Sequence, residues 1–223
     1  MLDVAIIGAG AAGLTAALYA KLYQLETICI GDKIGGKLVT APFIIDYPGI
    51  KGISGKDFIS TLNAQLTELG VSVMENSVAT IAVKEGASTS FTLTTTDQQT
   101  YEARAVLLCT GNPNKQSNSR TTRLAKQLNL ADKQGLLIIN ENFMTSRPGI
   151  FAAGDCLIYP FSLEQLTTTV ASAVQATAYI FEYVKGKHAP IMWGKAAIPR
   201  LFVERKSYVI PSGAAEGTCS TDS

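Results

Sequence analysis

The spacing of apolar positions changes several times along the chain, and each change marks an element. Leu2 to Gly8, "LDVAIIG", is a short apolar run of the kind that forms a strand buried on both faces. It breaks at glycine into the alanine-rich "AAGLTAALYAKLYQ", which reads as a helix, and "ETICIG" supplies a second buried strand, completing a β-α-β unit. A polar, glycine-rich loop follows from Asp32 to Gly55. In "SGKDFISTLNAQLTELG", Ser54 and Asp57 have capping-box spacing, Phe58, Leu62, Leu66 and Leu69 share one face, and Gly70 stops the helix.

From Val71 to Cys109 the short runs "VSVM", "VATIAV", "SFTLTTT", "YEA" and "RAVLLC" alternate with turn residues. They predict a third parallel strand, a three-stranded antiparallel meander, and a return to the main sheet at Val106 to Cys109. "NPNKQSNS" is a polar loop, "TRLAKQLNL" one short helix, and "GLLII" and "GIFAAGD" the next strands. The longest helical pattern, Ser162 to Val184, carries Leu166, Val170, Val174, Thr177, Phe181 and Val184 near helical spacing, with Gly186 beyond its end. The fold class expected is α/β and Rossmann-like: a parallel sheet, flanking helices and the meander. One domain is expected over residues 1–210, with a loose tail from Pro211 that is too poor in large apolar residues to pack.

Composition narrows the partners. A chain of 223 residues, 47% hydrophobic, can bury one good core. Nineteen basic against eighteen acidic residues, with no dense run of either sign, leave no footprint for nucleic acid or an anionic membrane surface. The apolar start lacks a signal-peptide pattern, and Asp3 and Lys21 bound a run too short to span a bilayer, so a cytoplasmic location is expected. Cys29, Cys109, Cys156 and Cys219 show neither C-x-x-C nor metal-ligand spacing, and with His188 as the single histidine no metal site is expected.

The chemistry begins at Gly8, Gly10 and Gly13, a G-x-G-x-x-G placed after a strand and into a helix. The first glycine allows the tight turn, the second lets backbone approach a pyrophosphate, the third lets helix and strand pack closely, and the helix N-terminus supplies N–H donors. The motif signifies a dinucleotide without saying which. An acid about twenty positions on should hold the ribose hydroxyls. Asp32 stands one step past the second strand and takes either that role or that of an exposed loop acid.

Four stretches in order, "GAGAAGL", "GGKL" with "DYPGI", "LLCTG" and "TSRPGIFAAGD", resemble the FAD-domain signatures of thioredoxin reductases and the wider pyridine nucleotide-disulfide oxidoreductases. The resemblance spans residues 2 to 184. It implies FAD, with Gly8, Gly10, Ala11, Ala12 and Gly13 around the pyrophosphate. Gly35, Gly36, Lys37 and Leu38 would bring backbone close to the cofactor, and Asp46 would lie near the flavin. Val78, Thr110 and Gly111 are implied contacts, Gly154 and Asp155 face the ribityl or pyrophosphate part, and Gln165 and Leu166 begin the last helix against the flavin pyrimidine ring. A helix N-terminus there stabilises the negative charge of a reduced flavin. For Gln165, a plain polar residue in a first helical turn is the equal alternative.

The departures matter as much. Members of the family insert a nicotinamide domain, usually with a C-x-x-C pair, where "CTGNPNKQSNSR" here runs straight across, so that domain is expected to be missing near residues 112–120. Lys37 stands where a Gln is common and Glu164 where an Arg is often found. The function expected is a flavin-dependent oxidoreductase, thioredoxin-reductase-like, exchanging electrons between FAD and a separate redox protein, dithiol or NAD(P)H. Ordinary thioredoxin reductase activity is not expected. A non-catalytic FAD-binding or regulatory module and a degenerate reductase are the alternatives. Cys156, beside Asp155 at a turn where a thiolate would be favoured, is the candidate catalyst, weighed against a small residue filling space. A homodimer is implied by the resemblance. The apolar "APIMWGKAAIPRLFV", with Met192, Trp193, Leu201 and Phe202, needs either a partner or the chain's own sheet to cover it.

Overall fold

A computed structural model describes residues 1–86, 89–113, 119–158 and 163–191. The apolar stretch after the last helix lies outside these residues almost entirely, and the tail wholly so. Met1–Ala189 form one compact unit.

Its core is a seven-stranded sheet. Strands β1 (Leu2–Ile7), β2 (Thr27–Gly31) and β3 (Val73–Glu75) run parallel in the order β3-β2-β1. On the other side of β1 lies β6 (Thr100–Leu108), also parallel, with Ile6 opposite Leu107. β4 (Val78–Lys84) and β5 (Ser90–Thr95) extend the sheet beyond β6 as antiparallel neighbours, and β9 (Ile150–Ala152) joins β6 in parallel. The central positions Val4 to Ile7 and Ala105 to Leu108 are buried without alternation, as a strand covered on both faces requires. The meander and the return strand expected from the sequence are therefore not separate: β6 is one continuous strand whose first half completes the meander and whose second half fills the centre of the sheet. A small sheet of β7 (Asp132–Lys133), β8 (Leu136–Ile138) and β10 (Leu157–Ile158) stands apart.

Among the described residues four α-helices accompany the sheets: α1 (Ala11–Leu22), α2 (Gly55–Glu68), α3 (Arg120–Leu128) and α4 (Leu166–Lys185). α1 and α4 pack together, with Tyr23 and Phe181 rings 5.7 Å apart. Ser54 caps α2, its Oγ accepting from the Asp57 amide at 3.1 Å, while the Asp57 carboxylate takes the Ser54 hydroxyl at 2.6 Å in place of the amide bond of a full capping box. α3 is capped likewise by Ser119, whose Oγ accepts from the Thr122 amide. α4 starts at Leu166, later than its apolar pattern suggested, and ends at Gly186. Asp32 to Gly55 is not wholly loop, for Gly36–Thr40 makes a 3-10 turn.

Residues 109–119 alone connect β6 to α3. The two ends of this connection meet: Thr110 Oγ1 and Thr121 Oγ1 share a hydrogen bond of 2.6 Å, and Thr121 Oγ1 donates to the Gly111 carbonyl at 3.0 Å.

Candidate functional site

The C-terminal ends of β1, β2 and β6 open onto a cavity of about 520 Å³. Its floor is the glycine turn after β1. Gly8 has φ +111°, and a Cβ there would stand 2.1 Å from the Cys109 carbonyl oxygen. A Cβ on Gly13 would meet the Gly8 carbonyl oxygen at 1.6 Å, so the first turn of α1 lies directly on the strand end. Gly10 differs. Nothing lies within 4 Å of the Cβ it lacks, and it lines the cavity, so backbone faces open space there. The second glycine pair closes over the first, with the Gly35 amide donating to the Ala9 carbonyl at 2.7 Å.

Two uncapped helix N-termini border this space. α1 begins after Gly10 and α4 after Gln165, and neither has a side-chain cap or an acidic residue in its first turn. The contrast is with α2 and α3, whose serine caps occupy the same kind of amides. The cavity thus borders two positive dipole ends with N–H donors that no side chain cap satisfies.

The expected residues are brought together in large part. Gly8, Gly10, Ala11, Ala12, Asp32, Gly35, Gly36, Lys37, Leu38, Thr110, Gly111, Asp155, Gln165 and Leu166 all line the cavity. Asp155 accepts a 2.7 Å hydrogen bond from Thr169 Oγ1, one turn into α4. Lys37 Nζ donates to the Asn112 carbonyl at 3.3 Å, and the Asn112 amide bonds to Glu164, so the two residues that depart from the family pattern are joined through Asn112.

Three expected cofactor residues besides Gly13 lie outside this lining, and the candidate catalyst is buried. Asp46 lies in the exposed loop closed by the Ile44–Ile53 bridge, outside the lining. Val78 is buried outside it too, its carbonyl taken by Arg123 Nη2 at 2.9 Å. Gly154 lines a neighbouring cavity of about 370 Å³ that shares Asp155, Glu164 and Thr169 with the first. Cys156 is fully buried, its thiol donating to the Leu108 and Ala153 carbonyls, and burial pushes its pKa up to about 11. A thiolate is disfavoured there, and Cys156 fills space.

Arg120 was missed. It lines the cavity at the start of α3 and pairs with Asp32, whose other oxygen accepts from Ser77 Oγ at 2.8 Å. The signal was readable: a cation in the first turn of a helix opposes the dipole and calls for another reason to be there.

Residues 44–178 match the family described as pyridine nucleotide-disulphide oxidoreductase, more than half of the chain. The chain belongs to that family. Among curated members of the pyridine nucleotide-disulphide oxidoreductases, a bifunctional thioredoxin reductase/thioredoxin from Mycobacterium leprae is 34% identical over 111 residues, 49% of this chain and 24% of the relative. The curated relatives that this chain matches are covered over only 24–37% of their length. A thioredoxin reductase structure from Gloeobacter violaceus superposes with TM-score 0.74 at 17% identity, covering 86% of this chain and 98% of that one. A ferredoxin-flavin thioredoxin reductase from Clostridium acetobutylicum gives 0.68 at 17% identity, covering 83% and 98%. At such identities these likenesses speak for the fold. Among the described residues no helix is long and apolar enough to cross a membrane.

Proposed function

We propose that this chain is a FAD-binding oxidoreductase that exchanges electrons with a separately supplied donor and acceptor. The observation that carries the reading is the pair of helix N-termini without side-chain caps, α1 and α4, bordering one cavity at the end of a parallel sheet, while α2 and α3 are capped. A group carrying a pyrophosphate at one point and developing negative charge at another fits that arrangement. The cavity volume is within the range of cofactor sites, and the bare Gly10 backbone admits close approach.

When bound, FAD supplies hydride or electron exchange at its isoalloxazine ring. The protein supplies the rest. Gly8 to Gly13 and the α1 amides would hold the pyrophosphate, Asp32 the adenosine ribose, and Asp155 the ribityl part. Gln165 and Leu166 would present the α4 amides to the flavin pyrimidine edge. Thr169 orients Asp155 through their hydrogen bond and keeps its second oxygen available.

The donor is supplied from outside this unit. Residues 109–119 are too few for a second β-α-β nucleotide fold between β6 and α3, and residues 1–223 contain no second G-x-G-x-x-G and no C-x-x-C. A reduced redox protein or a dithiol suits such an open site. The fold likeness to a ferredoxin-flavin reductase supports a protein donor.

The test is an anaerobic titration of the purified protein, following the flavin absorbance band as NADPH, NADH, a dithiol and a reduced ferredoxin are added in turn. Bleaching by the dithiol or the ferredoxin is expected. A bound flavin that stays oxidised with all four makes the chain a FAD-binding module without turnover, and a colourless protein that takes up no FAD overturns the reading.

A further inference from the structure

We propose that Arg120 positions Asp32 as the acceptor for the adenosine ribose, and so makes this end of the cavity select a dinucleotide over a mononucleotide. The inference rests on the FAD reading above.

Asp32 is held from both sides. Ser77, at the start of the β3–β4 connection's exit into β4, donates to Oδ1 at 2.8 Å, and the Arg120 guanidinium pairs with Oδ2. Ser77 is itself fixed, its amide bonded to Asn76 Oδ1 at 2.7 Å, and the Asn76 amide donates to the Gly31 carbonyl at 3.0 Å. A carboxylate offers about four lone-pair sites, so two donors on its flanks leave capacity for ribose hydroxyls on the cavity side. Fixing the carboxylate in advance removes the cost of ordering it when ligand arrives.

Nothing in α3 itself accounts for Arg120. A cation in the first turn opposes the helix dipole, and the serine cap already serves the amide of Thr122. The side chain is 24% exposed, and burial, followed by the neighbouring Arg123, lowers its pKa, so the environment disfavours the charge that Asp32 compensates. Arg123 fixes the height of the helix: its guanidinium donates to the Val78 carbonyl at the head of β4. Both Arg120 and Asp32 line the cavity, as Asp155 and Gln165 do, so a ligand seated against Asp155 shares its cavity with this charged pair. Arg presents its donors in a planar fork, of which one edge serves Asp32 and others remain for the ligand.

The experiment is a calorimetric titration of the apoprotein with FAD and with FMN, which lacks the adenosine half, for wild type, Arg120→Gln, Arg120→Lys and Asp32→Asn. Arg120→Gln should weaken FAD by about tenfold and move FMN by less than about twofold. Arg120→Lys should fall between, keeping charge without the fork, and Asp32→Asn combined with Arg120→Gln should cost little more than either alone. Thermal melts of the four apoproteins report folding separately. An Arg120→Gln protein that binds FAD like wild type, or that loses FAD and FMN in equal proportion, overturns the proposal and leaves the FAD reading standing. A folded wild type that binds neither flavin overturns the FAD reading and this inference with it.

Discussion

The carboxylate of Asp3 and the ammonium of Lys185 meet at 2.8 Å across 182 positions of sequence. Asp3 is the second residue of β1 and Lys185 closes α4, so the pair ties the first strand to the helix whose other end borders the cavity. Asp3 is buried, and it also accepts from the Glu26 amide at 3.0 Å. Asp3→Ala leaves the Glu26 amide and the Lys185 ammonium without this acceptor, and should lower unfolding free energy by about 2 kcal/mol. Chemical denaturation of the two proteins measures the difference.

Gly10 and Gly13 separate binding from folding. Gly13→Ala forces a Cβ to 1.6 Å from the Gly8 carbonyl oxygen and should cost more than about 3 kcal/mol, or abolish folding. Gly10→Ala meets nothing within 4 Å, and its φ of −81° suits alanine, so the apoprotein should melt within about 1 kcal/mol of wild type. Its methyl group enters the space kept for backbone approach, and FAD retention through gel filtration should fall. A Gly10→Ala protein that keeps flavin as well as wild type would count against the placement of the pyrophosphate.

The buried thiols set an alkaline limit. Burial pushes Cys29 up to about 12 from an ordinary value of 9.0 and Cys156 up to about 11, and holds Cys109 well above its usual range. Raised folded-state values mean that stability is fully present below pH 9 and is lost as pH rises from 9 through 11 to 12, where the unfolded chain releases protons that the folded chain retains. Denaturation midpoints should fall steadily above pH 9, and Cys29→Ala with Cys156→Ala should flatten that slope. At pH 7.5 peptide-level alkylation should find both cysteines unlabelled in the native protein and labelled in urea.

The cap of α2 offers a smaller test. Ser54→Ala removes an acceptor for the Asp57 amide and a donor to its carboxylate, and should cost about 1 kcal/mol without changing flavin binding.

The parts of the fold written in local signals were legible in advance: the apolar run of β1, the glycine turn into α1, and Ser54 with Asp57 at the start of α2. β6 was split in reading because Thr100 to Ala103 alternate like a half-exposed strand whereas Ala105 to Leu108 do not, and only pairing shows that both belong to one strand. Cys156 carried two readings, catalyst or space-filler, because proximity to Asp155 is visible in sequence and burial is not; burial favours the space-filler. Arg120 was missed because its partner Asp32 stands just past the end of β2, and a contact between a helix start and a residue so distant in sequence leaves no periodic trace.

The meeting of Thr110 with Thr121 sets the span that the chain between them has to bridge. Because Thr110, just past β6, and Thr121, in the first turn of α3, lie against each other, any chain between them spans ends that are already side by side. Loop-closure cost grows only slowly with length, so a longer segment placed between these two threonines should leave the melting temperature of the unit nearly unchanged.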